Sequence, residues 1–248
     1  MALAVLCHAG PAFAWAWPME DGKTQAILKY ESETADEAFD RDGVVVPIET
    51  QDEESLSLFV EHGLTQRITL QGKLGWTRGT GPFTEFDGRG PIDLGARYAV
   101  LKTSRTVASV YAGVTFPGEG RNAAYYIDPG AGEMDVEVRL LAGRSGKLLK
   151  RHLFGEVQLA RIAREGLPDE TRVETTVGWH PMRNWLLLAQ TYAGRAEAEP
   201  TAPLWLKSEV SVVRDVGDWR LQAGWRSSSL GVESPVSHGP VLAVWKTF

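Results

Sequence analysis

Nowhere does this 248-residue chain hold the roughly eighteen consecutive apolar residues that a membrane-crossing helix needs. Cysteine is almost missing too: Cys7 stands alone. A disulfide framework and a thiolate metal site are thereby excluded, and a cysteine nucleophile goes with the leader if Cys7 is removed. Lys and Arg are scattered along the chain and never stripe one face, and the net charge is −6. No nucleic-acid partner is expected. No segment spaces its apolar residues at the helical period. What is present, 43% hydrophobic and 23% charged residues, is enough for a folded chain and too much for a disordered one.

The N-terminal stretch is the most apolar. It runs from Ala2 to Leu6, then through small residues to Pro11-Ala12-Phe13-Ala14, an A-x-A pattern of the kind that closes a secretory signal peptide. Residues 1–14 are therefore expected to be a signal peptide and 15–248 a single domain. Lys and Arg are missing ahead of the apolar run, so a start codon further upstream and an ordinary N-terminal strand remain as alternatives. A lipoprotein reading of Cys7 meets Leu6 where a small residue is wanted.

In the body the apolar residues recur with period two. Ile68, Leu70, Leu74 and Trp76 alternate with Thr69, Gln71 and Lys73, and Val136, Val138 and Leu140 alternate with Asp135, Glu137 and Arg139. Short connections at 63–66, 102–105, 145–147, 181–184 and 215–218 separate longer stretches at 35–53, 78–90, 117–132, 164–170, 196–202 and 228–238. Strands of about ten residues, with short turns on one side and long loops on the other, describe an all-β, antiparallel transmembrane β-barrel of about twelve strands. Its short turns would be periplasmic and its long loops extracellular.

A soluble sandwich or a propeller would show the same period. The face opposite the apolar one decides against both, because it mixes Asp93, Arg97, Glu137, Arg139, Glu174, Lys207 and Arg226 at mid-strand, as in a wet lumen. Trp179, Trp185, Trp219 and Trp245 gather beside the short turns, with Trp76 and Trp205 near the opposite ends, which reads as two interfacial girdles. The expected location is the bacterial cell outer membrane of a Gram-negative organism, with membrane lipid and lipopolysaccharide as surroundings. The last strand ends on Phe248. It is expected to close against the first, since an open edge in hydrocarbon leaves backbone groups unpaired, and to be read by the barrel-assembly machinery. Lys246 breaks the alternation and is expected to snorkel to the periplasmic interface.

Trp17-Pro18, Gly22, Tyr30, Phe39-Asp40 and Gly43, followed by Gly63-Leu64-Thr65, resemble the putative transporter family known as the "MetA-pathway of phenol degradation". The resemblance covers about the first fifty residues after the leader. It implies a barrel of about twelve strands passing small, often aromatic or hydrophobic compounds, and it supplies no catalytic residues.

The sequence carries no catalytic spacing. Outer-membrane phospholipases place His and Ser two residues apart, whereas His62, His152, His180 and His238 are followed at that distance by Leu64, Phe154, Met182 and Pro240. No catalytic residue, metal ligand or cofactor is therefore assigned. Asp40-Arg41-Asp42-Gly43 opens like a calcium loop but carries no acid at position 44, and Glu31–Glu54 holds ten acids against Arg41 alone. That segment reads as a solvated loop turned by Asp-Gly, or as a cation- or lipopolysaccharide-bridging surface.

The expected function is an outer-membrane channel for passive passage of small solutes, lined by Lys73, Asp93, Arg97, Glu137, Arg139, Glu174 and Arg220. The long loop at 116–133, with Tyr125 and Tyr126, is expected to fold inward. A non-conducting barrel plugged by its own salt bridges is the alternative, and a lipid-modifying enzyme stands behind both.

Overall fold

The computed structural model describes residues 16–81, 84–118 and 134–248, without the side chains of 84–86. Residues 1–14, expected as a signal peptide, and the Tyr125–Tyr126 loop lie outside the described residues. The strands are β1 (Thr24–Phe39), β2 (Val45–Gly63), β3 (Ile68–Gly81), β4 (Thr84–Arg89), β5 (Ile92–Lys102), β6 (Thr106–Phe116) and β7 (Asp135–Leu148). They continue as β8 (Arg151–Arg164), β9 (Glu170–Met182), β10 (Trp185–Ala196), β11 (Leu204–Val216), β12 (Trp219–Val232), β13 (Ser234–Pro235) and β14 (His238–Thr247).

Every strand pairs antiparallel with its neighbours, and β1 pairs with both β2 and β14, so the sheet closes on itself. Two staves are interrupted: β4 and β5 share one, broken at Gly90-Pro91, and β13 and β14 share another. The result is a closed twelve-stranded barrel. At the seam Phe248 N–H donates to the Thr24 carbonyl at 2.8 Å, and Thr24 N–H donates to the Phe248 carbonyl at 3.3 Å. Closure matters physically because a bilayer core offers no water to unpaired N–H and C=O groups.

Alternation places Leu28, Leu70, Leu94, Leu140, Leu159, Val177, Val212, Leu221 and Leu242 on the exposed outer face. Val107, Phe154, Val213 and Val241, together with most charged mid-strand residues, turn inward and are buried. This apolar band on the outside and polar face on the inside are built for a membrane rather than for water. Trp179, Trp185 and Trp219 stand outward at the end bearing the termini and the short turns, and Trp76 stands outward toward the other end. Lys246 also points outward there, its Nζ 4.7 Å from the centre of the Trp219 ring.

Trp245 and Trp205 are corrections to the girdle reading. Trp245 lies inside the barrel, 6% exposed, and Trp205 lines the lumen. Alternation could not separate them, because at these levels both faces carry large apolar groups.

The stretch expected as a long loop at 35–53 is another correction. β1 runs to Phe39 and β2 resumes at Val45, so the two strands rise as a ribbon turned by Asp40–Val44. Asp40 Oδ1 accepts the N–H groups of Asp42 and Val44, each at 2.9 Å. Both faces of this ribbon are wet and carry acids, so the sequence there loses its apolar alternation while the backbone pairing continues. Likewise β3 and β4 reach into 78–90, and β12 reaches Val232.

Candidate solute pathway

The lumen is built in two layers. At the end bearing the termini it is apolar. Phe154, Leu186, Leu188, Val213, Ala243 and Trp245 form one cluster, and Ala16, Ala99, Val107 and Leu141 form another. Trp17 packs against both. It belongs to a strap, Ala16–Met19, that enters the barrel instead of continuing the wall.

Among the described residues, four hydrogen bonds hold that strap. Ala16 N–H donates to Glu156 Oε2 at 2.7 Å, and Ser109 Oγ donates to the Ala16 carbonyl at 2.7 Å. Arg97 Nη2 donates to the Trp17 carbonyl at 2.8 Å, and Met19 N–H donates to Thr69 Oγ1 at 2.9 Å. Gly143 lets the indole lie against the wall, since a Cβ there would overlap the ring. Beneath it Arg97, 1% exposed, pairs with Glu61 Oε1 at 2.9 Å, and Gln71 donates to the same carboxylate at 2.6 Å. A buried guanidinium so placed is satisfied by a carboxylate and a carbonyl together, which is what permits its burial.

Above the strap the charges gather in two belts on opposite walls. On β7–β9, Arg139 joins Glu137 (2.5 Å), Glu174 (2.9 Å) and Gln158 (2.7 Å). Glu170 is clasped by Arg164 and Arg172, each at 2.5 Å, and Arg164 reaches Asp135 at 3.1 Å. Across the lumen, Arg226 joins Glu31 (2.5 Å) and Glu209 (2.7 Å), Lys29 joins Glu31 (3.1 Å) and Glu209 (3.4 Å), and Lys207 pairs with Glu33. Arg226 also stacks over Tyr192, 4.7 Å from the ring centre. Trp205 lies flat over Gly194, where a Cβ would overlap its indole.

Because these groups pair along the walls, a cavity of about 850 Å³ stays open between them. It extends from Thr80, Gly81, Pro203 and Pro235 at the rim far from the termini down to Leu141, Leu188 and Trp245 beside the strap. Among the described residues nine acidic and seven basic side chains line it, and a water-filled space holding this many paired ions is stable where a dry one is not.

Of the residues expected to line a pathway, Lys73, Asp93, Glu137, Arg139 and Glu174 face this cavity. Asp93 accepts a hydrogen bond from Thr115 at 2.8 Å, and Glu137, Arg139 and Glu174 belong to one belt. Arg97 lies lower, holding the strap. Arg220 lies near the mouth at the terminal end, with Asp215 2.9 Å from its Nε.

Glu33, Glu61, Lys29, Glu31, Arg164, Glu170 and Gln158 were not singled out from sequence. The signal for the first strand was available, since Gln25, Ile27, Lys29, Glu31 and Glu33 alternate with Ala26, Leu28 and Tyr30. Nothing in the pattern marks the strap. The histidines are scattered: His62 Nδ1 lies 2.9 Å from Thr24 Oγ1, His152 and His180 have ring centres 5.5 Å apart, and His238 lies 6.0 Å from Trp225.

Neither a family model nor a curated protein matches the chain. Among solved structures it is similar to the COG4313 outer membrane channel from Pseudomonas putida F1, at 16% identity and a TM-score of 0.72, over 95% of this chain and 99% of that one. The KdgM porin is similar at 9% identity and a TM-score of 0.54, over 90% and 99%. The translocator domain of the autotransporter NalP from Neisseria meningitidis is similar at 11% identity and a TM-score of 0.51, over 93% and 90%. In fold, the chain is an antiparallel twelve-stranded barrel of the bacterial outer-membrane kind.

Proposed function

We propose that the chain is an outer-membrane channel for passive diffusion of small solutes, working without a cofactor. The observation that carries this reading is the open cavity between two ion-paired walls, which reaches the far rim and stops at the Trp17 strap. The lining leaves a small excess of acid, so cations pass more readily than anions. Phe59, Tyr111, Tyr192 and Trp205 among the lining residues fit solutes with an apolar or aromatic body, as the resemblance to the phenol-degradation transporter family implies. Two of the similar structures are named as channel and porin, which agrees with this reading. Planar-bilayer recording of the folded protein tests it. Discrete conductance steps with a modest cation preference are expected, and a correctly inserted barrel that stays silent even after the strap is weakened would refute it.

The strap favours a second reading, a closed barrel whose conductance depends on displacing Trp17. Its four hydrogen bonds and two apolar clusters form a built seal. Under this reading the wild-type protein is mostly silent and a strap variant conducts, so one pair of recordings separates it from a channel that is always open.

A further inference from the structure

The hairpin joining β7 to β8 differs from the other connections at the terminal end of the barrel. The β6–β7 pairing stops at Thr106↔Arg144, with one further bond from Ser145 N–H to the Arg105 carbonyl at 2.7 Å, and the β8–β9 pairing starts at Leu153↔Trp179, so residues 146–151 project past both neighbouring strands as a two-stranded ribbon. The sequence R-S-G-K-L-L-K-R-H, from Arg144 to His152, contains no acid. Arg144, Lys147, Lys150 and Arg151 are all exposed, and among the described residues none of them has an ion-pair partner. Leu148 and Leu149 at the apex are 47% and 77% exposed.

The turn itself is strained. Leu149 and Lys150 hold φ at 50° and 65°, in the left-handed region that side-chain-bearing residues avoid. In the two-residue turn between β11 and β12 the positive-φ position, at 61°, is held by a glycine, Gly217. A strained apex that displays leucine between lysines points to a surface that contacts something.

Direction identifies the partner. Along β7 and β8 the outward positions run Val138, Leu140, Ala142, Arg144 and Leu148, then Arg151, Leu153 and Val157, on the same face as Trp179. The ribbon therefore prolongs the lipid-facing surface past the tryptophan girdle, with two arginines on that face and lysines beside them. In barrels of this kind the end with the short turns faces the periplasm, where the leaflet consists of phospholipid.

We propose that the Arg144–His152 ribbon is a binding site for anionic phospholipid headgroups of the periplasmic leaflet, its cations engaging the phosphates and its leucines the adjoining apolar layer. Clustered Lys and Arg at a membrane surface select anionic lipid in this way. The inference rests on the barrel spanning a membrane and not on conductance, so a silent channel leaves it standing.

The test uses the full-length protein in bilayers of equal phosphatidylethanolamine and phosphatidylglycerol, with the lipids retained on release read by native mass spectrometry. Wild type should retain phosphatidylglycerol in roughly tenfold preference, about the effect of one to two surface cations. The variant Lys147→Glu, Lys150→Glu, Arg151→Glu should reduce that ratio to near one. Its fold is checked by heat-modifiable gel migration, and Arg161→Glu at the opposite end of β8 should keep the wild-type ratio. Equal retention of the two lipids by wild type would overturn the proposal, and so would an unchanged preference in the folded triple variant. Either result would direct attention to a soluble periplasmic partner for the ribbon.

Discussion

Replacing Trp17 with alanine tests the closed lumen most directly. The indole is partly buried and bridges the two apolar clusters at the terminal end. Burying a large apolar side chain contributes about 1.5–3 kcal/mol, so about 2 kcal/mol is reasonable for a ring that is not fully enclosed. The four hydrogen bonds of the strap involve the Ala16, Trp17 and Met19 backbone, and they survive the substitution. The holding free energy therefore falls by about 2 kcal/mol, and because about 1.4 kcal/mol is a factor of ten, the ratio of open to closed strap should rise roughly 30-fold. Single-channel recording reads this as a rise in open probability of the larger conductance state, with its step size unchanged. The variant should still migrate as a folded barrel on an unheated gel, because the wall hydrogen bonds are untouched. If that folded variant matched wild type in both open probability and step size, the strap would not be the seal.

The other predictions address the walls and the ribbon. Leu140 faces outward at mid-strand, so Leu140→Arg should destabilise folding into bilayers by about 2–4 kcal/mol, measured by denaturant titration; a loss below 1 kcal/mol would mean the position lies at an interface. Arg139→Glu should move the reversal potential in a salt gradient toward cations, because it replaces a positive charge with a negative one in a lining already in acid excess. Arg97→Glu should instead cost about 3–5 kcal/mol of stability, as it leaves Glu61 buried beside a like charge. His152 and His180 meet at the base of the ribbon, and burial lowers both imidazoles below their ordinary value, with the charge of His152 adding to the effect on His180. The unfolded chain therefore binds protons first: stability should hold above pH 6.5, the ordinary value, and decline as pH falls below it. The double variant His152→Gln, His180→Gln should flatten that decline below pH 6.5, the ordinary value, as read by denaturant midpoints.

Much of the barrel was legible before any coordinates, because a membrane wall imposes a simple rule on each strand. Leu70, Leu94, Val138 and Leu140 needed only their alternation with Lys73, Asp93, Glu137 and Arg139 to reveal an outer and an inner face. The same rule faltered where the environments on the two faces stop differing. Above the membrane the β1–β2 ribbon is wet on both sides, so strand looked like loop; beside the strap both sides are apolar, so Trp245 looked like girdle.

What the sequence alone determined is therefore the class of fold, the approximate number of staves and, where the alternation is clean, the side on which a mid-strand residue lies, all of which are local consequences of period two. The tertiary structure decided which charges meet. Lys207 finds Glu33, and Arg226 finds Glu31, only because closure carries the first strand around to the last, and no spacing along the chain encodes that encounter. It also decided that Ala16–Met19 turns into the lumen, for the strap is held by Thr69, Arg97, Ser109 and Glu156 from four separate strands. Contacts of that kind depend on the curvature of the closed wall, which exists only once every strand has found its neighbour.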